Sequence, residues 1–184
     1  MSAPFDPRAI ANLMLDVADG NGQRLSNLAL QKLLYFAHAT FLIETGTPLV
    51  SGFFEAWKYG PVHPIVYRSF RSSEGRPIKD RAMSEDPVTG ELRLPTIADA
   101  PDAMRHVRKI LALYGTITPG RLVDITHAPN APWHYIVNKS KTSVALGLRI
   151  PDNVIRDRFK FHKVTVSAAP RHGEPDEDSP IAGN

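Results

Sequence analysis

Seven histidines in a chain without cysteine make metal ligation the first chemistry to test. Zinc takes imidazoles at short fixed spacings, usually completed by carboxylates. His127 and His134 are separated by Pro129 and Pro132, and no His-Glu-x-x-His helix or acidic cluster stands beside them. The lack of cysteine also removes thiolate nucleophiles, sulfur-ligated zinc and disulfides. No Gly-x-Ser-x-Gly elbow, Walker loop, Gly-x-Gly-x-x-Gly turn or poised carboxylate pair is present. The sequence therefore predicts no catalytic residue, no metal site, no cofactor and no enzyme activity. A small-molecule ligand is disfavoured on the same grounds. His38, between Ala37 and Ala39 at the edge of an apolar helix face, reads as a hydrogen-bonded core or boundary residue. His63, before Pro64, reads as support for a turn or helix start.

Two groups of residues could instead bind. Arg149, Arg156, Arg158, Lys160, His162 and Lys163 lie near Phe159 and Phe161, a composition able to contact phosphates. Asp152 and Asp157 dilute that patch. A net charge of +3 with a pI near 9.3 falls short of a dedicated nucleic-acid binder, so the segment reads first as a solvated face. A helix-turn-helix over 118–138 is opposed by two prolines and Trp133 where a recognition helix would run. The second group is Trp57, Lys58, Tyr59 and Trp133. Large aromatics supply contact area at small entropic cost, which suits a protein-binding surface. The Trp-Lys-Tyr run before a Gly60-Pro61 turn has the form of an exposed anchor, with core packing an equal alternative for Trp57.

The elements that must position these residues follow from periodicity. Asp6-Pro7 opens a helix with Ile10, Leu13, Met14 and Val17 on one stripe, ended by Asp19-Gly20-Asn21-Gly22. Ser26 or Asn27 caps a central helix to about Thr45, stopped by Gly46. Leu30, Leu33, Leu34, Ala37 and Phe41 share one face, and Leu28, Tyr35, Phe36 and Leu42 widen it. Such a helix belongs at the middle of a domain. Phe53 to Tyr59 is expected to be a short extended segment. His63-Pro64 starts a helix burying Ile65, Val66, Tyr67 and Phe70. Residues 75–96 form an excursion broken by prolines, with Met83 and Leu92-Arg93-Leu94 as candidate hairpin arms. Further helices are expected from Pro101 with Met104, Val107, Leu111 and Tyr114 buried, from Pro119 through Ile125, and from Asp152 through Phe159. Phe161 and Val164-Thr165-Val166 are expected to form a terminal strand.

The total is a mainly α, compact single-domain helical bundle of about six helices with a few short strands or a β-hairpin. A helical domain over 1–167 is followed by a disordered acidic tail over 168–184, where Glu174, Asp176, Glu177 and Asp178 face Arg171 alone. A chain of 184 residues can bury roughly two-thirds of its unfolded surface. No apolar run approaches the roughly 20 residues that span a bilayer, and no signal peptide is visible, so a cytoplasmic location without membrane contact is expected.

Leu-Ala-Leu-Gln-Lys-Leu-Leu-Tyr-Phe-Ala-His-Ala from Leu28, the turn Gly46-Thr47-Pro48-Leu49, and Phe-Glu-Ala-Trp-Lys-Tyr-Gly-Pro-Val-x-Pro-x-Val-Tyr over 54–67 form an ordered set. A later block runs from Tyr114 to Trp133. Together these motifs resemble the Panacea-domain family of phage-associated, GepA-like antitoxins over roughly residues 8–160. The resemblance implies an antitoxin that binds a cognate protein toxin and presents it to the ClpXP protease. Neither role needs a catalytic residue. The alternative reading is a nucleic-acid-associated regulator using residues 149–163.

Overall fold

The computed structural model describes residues 2–140 and 148–162. Asp6 accepts a hydrogen bond from the Arg8 backbone N–H at 2.8 Å, so α1 (Pro7–Gly20) starts where the Asp-Pro pair predicts. It closes in a Schellman motif. Gly22 turns left-handed at φ +71°, its N–H reaches Asp19 O, and the Gln23 N–H reaches Ala18 O at 2.8 Å. The central helix α2 (Asn27–Thr45) is capped by the Ser26 hydroxyl and stopped by Gly46 at φ +75°.

Because α2 is apolar on nearly every side, elements pack all around it. These are α1, α3 (Pro64–Phe70), α4 (Pro101–Tyr114), α5 (Pro119–Thr126), α7 (Asp152–Arg158) and strand β2 (Gly60–Val62). Leu30, Leu33, Leu34, Tyr35 and Ala37 are wholly buried. Each such leucine contributes on the order of 1.5–3 kcal/mol of transfer free energy. Strand β1 (Phe54–Trp57) is central in a three-stranded antiparallel sheet, between β2 and β5 (Arg149–Ile150). Phe54 and Ala56 point inward, while Glu55 and Trp57 occupy the outer face.

The excursion is strapped across α1. Asn12 bonds the Ala82 backbone through both ends of its amide, Arg81 pairs with Asp16 and Asp19, and Ile78 and Ala82 enter the core. A small hairpin follows, β3 (Ser84–Glu85) with β4 (Leu92–Arg93), close to the expected arms.

The mainly helical, single-domain expectation holds, with seven α-helices among the described residues. The added helix is α6 (Pro132–Ser140), where prolines suggested only a turn. Pro132 is its first residue, where an N–H would have no intrahelical partner. The prolines and Trp133, expected to oppose a recognition helix in this stretch, do not prevent a helix from forming there. Gly60-Pro61 is not the turn either. Trp57 pairs with Gly60, so Lys58-Tyr59 is the turn and Pro61 lies on the edge strand, where a missing donor is tolerated. Phe161 belongs to a 3-10 turn (Phe159–Phe161) rather than a strand. Met104 is 38% exposed, and Ala103, His106, Val107, Ile110 and Leu111 form the buried face of α4. Ile65 and Tyr67 are only half-buried. The strand over 164–166 and the acidic tail lie outside the described residues.

Two predictions arise from this core. The Tyr35 hydroxyl is buried without a hydrogen-bond partner among the described residues, and burial holds its pKa well above the usual range. Its ring packs edge-on to Phe54 at 5.5 Å and near Phe36 and Phe159. Tyr35→Phe keeps that packing and removes an unsatisfied group. Its expected effect is neutral or stabilising by up to about 1 kcal/mol. A thermal melt lowered by more than that would show that the hydroxyl has a partner.

Acid should weaken the fold through histidines. Burial lowers the pKa of His63 and His106, and lowers that of His162 to about 4. The unfolded chain then binds protons that the folded one refuses. Stability present above about pH 6.5 is lost as pH falls towards about 4. Denaturant titrations across that window should show a falling midpoint before the carboxylates titrate. A flat profile would contradict the burial of these rings.

Candidate functional site

The region around Trp57 is built from α2 upward. Lys32, wholly buried, donates from Nζ to the Pro61 carbonyl at 3.0 Å. Gln31, one residue earlier, accepts from the His63 backbone N–H through Oε1 at 2.9 Å. Its Nε2 donates to Asn27 Oδ1 at 3.0 Å. Two adjacent polar side chains of a mainly apolar helix therefore fix the middle of β2 and the residue that follows it against α2. Buried polar groups in such networks are satisfied because each orphan costs about 1–3 kcal/mol.

The β1–β2 turn depends on Gly60. Lys58 and Tyr59 both keep negative φ, so the left-handed reversal falls on Gly60 at φ +96°. A Cβ there would meet Thr126 Oγ1 and stand 3.0 Å from Lys32 Cε. The glycine thus serves both the turn and the close approach of β2 to α2 and α5.

Of the residues predicted to bind, Trp57 and Trp133 are brought together. Trp133 Nε1 donates to the Trp57 carbonyl at 2.7 Å, and its ring stacks on His127 at 3.8 Å. Trp57 Nε1 donates to Glu55 at 2.8 Å, and its ring meets Tyr67 edge-on at 4.7 Å. Both tryptophans are half-buried, so each also packs the fold. Lys58 is exposed at the turn tip, with its ammonium 5.2 Å from the half-buried Tyr59 ring. Trp57, Tyr59, Val62 and Tyr67 wall a narrow cleft with Gln31 and Lys32 at its side. The presented surface is an aromatic hairpin end with the Lys58 ammonium beside the Tyr59 ring.

The histidines take structural positions. His38 Nε2 donates to Asp152 at 3.1 Å while Nδ1 faces the Val50 N–H, which ties α2 to α7. His63 Nε2 donates to the Ser51 carbonyl at 2.9 Å, and His63 makes no side-chain cap at α3. His127 stacks on Trp133, and His134 Nδ1 accepts from the Asn130 N–H. Among the described residues no group of three or more His, Asp or Glu side chains could hold a metal ion. No described helix is long and apolar enough to cross a membrane.

Sequence reasoning missed the roles of Gln31 and Thr126, the close packing that requires a glycine at position 60, and the bond from His63 to Ser51. One signal was available. An adjacent Gln-Lys pair inside a helix apolar all round has to bond to something buried.

Comparisons with known proteins cover this same stretch. The family model described as Antitoxin SocA-like, Panacea domain, matches residues 30–134, the stretch holding most of α2, the hairpin and both tryptophans. The chain is 47% identical over 178 residues to Antitoxin SocA of Caulobacter vibrioides (strain NA1000 / CB15N), covering 95% of this chain and 93% of that protein. No solved structure matches the chain significantly. On the family match and the near full-length identity, the chain belongs to the SocA-like antitoxin family defined by the Panacea domain.

Proposed function

We propose that this protein is an antitoxin that binds a cognate protein toxin and, as an adaptor, delivers it to the ClpXP protease. The near full-length identity to a protein named Antitoxin SocA carries the reading. The site agrees with recognition rather than catalysis. Its polar groups, Gln31, Lys32 and His63, are bonded into the scaffold, and what reaches solvent is the turn Lys58-Tyr59 beside Trp57 and Trp133. Aromatic groups already held by hydrogen bonds lose little entropy on binding, so they suit an interface. Complex formation lowers free toxin by mass action, and proteolysis makes the loss irreversible.

Co-expression with the product of the adjacent gene tests this. A stable complex is expected, with a toxin half-life that shortens when this protein and ClpXP are both present. Absence of any complex, with healthy cells on deletion, would overturn the reading. Removing residues 168–184 tests a protease-facing role for the acidic tail. Toxin binding should survive while delivery weakens, and equal loss of both would contradict that division.

A further inference from the structure

Basic side chains meet two kinds of partner in this molecule, carboxylates and aromatic rings. Arg8, Arg24, Arg76, Arg81, Arg93 and Arg105 each pair with a carboxylate. None of Lys58, Arg149, Arg156, Arg158 or Lys160 has a carboxylate partner among the described residues, and four of these five lie against aromatic rings. The Arg149 guanidinium sits 3.8 Å from the Phe53 centroid, and that of Arg158 3.7 Å from Tyr135. Lys58 lies near Tyr59 and Lys160 near Phe161, at 5.2 and 5.5 Å.

These pairs belong to adjoining elements. Arg149 stands opposite Glu55 in the β1–β5 register and so shares the outer sheet face with Trp57. Helix α6, which supplies Tyr135, lies against β1, β5 and α7, and Trp133 fastens it to Trp57. We propose that the band from Arg149 on Phe53 to Arg158 on Tyr135 docks an acidic segment of a protein partner. The proposal rests on the antitoxin reading and extends its surface beyond the hairpin.

A guanidinium held flat on a ring is already ordered and weakly hydrated. Arg158 Nη1 also donates to the Asn130 carbonyl at 3.5 Å, which fixes it further and leaves its remaining N–H groups, with those of Arg149, to meet carboxylates. Little side-chain freedom remains to be lost on docking. A nucleic acid fits less well. The faces of Phe53 and Tyr135 that a base would stack on already carry guanidinium groups. Glu55 and the exposed Asp157 stand among the cations and would repel a continuous phosphate chain, whereas discrete carboxylates can avoid them. Asp152 is engaged by His38 and does not neutralise the band.

The experiment titrates the purified product of the adjacent gene, and separately an oligothymidylate strand, against full-length protein at two salt concentrations. Wild type should bind the protein probe with an affinity that falls as salt rises. Arg149→Glu/Arg158→Glu should weaken it about tenfold or more, with far-UV circular dichroism unchanged. Arg149→Lys/Arg158→Lys keeps the charge but loses the flat stack, and should fall between the two. If the reversed pair proves unfolded, Arg158→Gln alone carries the test, with an expected loss of about threefold. A folded reversal variant that binds the protein probe like wild type overturns the docking band and leaves the antitoxin reading standing. Failure of wild type to bind that probe overturns both. Oligothymidylate binding that the reversal abolishes, with protein binding untouched, makes the band a nucleic-acid surface and overturns the proposal.

Discussion

Gly60→Ala is expected to destabilise the protein by about 3–5 kcal/mol, adding left-handed strain to a core overlap. For a chain of this size that lowers the melting temperature by roughly 6–20 °C. The left-handed φ of +96° disfavours any side chain, and the new Cβ would press on Thr126 Oγ1 and Lys32 Cε. Lys32 cannot yield freely, because its ammonium is bonded to the Pro61 carbonyl one residue further on. The two causes can be separated. In Gly60→Ala/Thr126→Ala the nearest clash is gone while the backbone strain remains, so part of the loss should return, by about 1–2 kcal/mol of coupling. A Gly60→Ala protein that melts like wild type would mean the hairpin is not seated against α2 and α5 as described.

Gln31→Leu should cost about 2–4 kcal/mol despite increasing the hydrophobicity of a buried position. The His63 N–H loses its acceptor, and Asn27 Oδ1 loses its donor, both in water-excluded surroundings. The cost is the desolvation of orphaned groups, so replacing Gln31 with another apolar residue of similar volume should do no better. Because the same bond seats the hairpin, partner affinity should fall with stability. Thermal melts and a binding titration on one preparation check both. Unchanged stability would show that His63 finds another acceptor and that the network is dispensable.

How much of this was legible in the sequence depended on the scale of the interaction. The limits of α1 and α2 are written in local residues, Asp6-Pro7, Ser26, Gly22 and Gly46, whose side chains or φ angles act within one turn. The burial of α2 followed from its composition alone. Pro132 was harder, since the same residue that ends a helix also begins one, and only the packing of α6 against β1, β5 and α7 decides between them. Strand β5 is two residues long and exists because β1 offers an edge, which no local pattern records. Trp57 and Trp133 were singled out for their size, and their mutual hydrogen bond across 76 residues was beyond any spacing rule. Gly60-Pro61 reads as a turn dipeptide, yet the Trp57–Gly60 pairing places both in a strand. The stacking of Arg149 on Phe53 and of Arg158 on Tyr135 depends on tertiary placement, whereas Lys58 and Lys160 lie near the ring of the very next residue.

The central claim is that this protein holds another protein on its hairpin end. Trp57 and Trp133 are poor probes, because removing either also disturbs the fold. Lys58→Glu/Tyr59→Ala is cleaner, since both residues form the turn and neither side chain makes a hydrogen bond among the described residues. The decisive measurement is the dissociation constant for the adjacent gene's product, wild type against this variant, with a thermal melt on each. Binding should weaken at least about tenfold, with the melt within about 2 °C of wild type. Undiminished binding by the folded variant would contradict the claim.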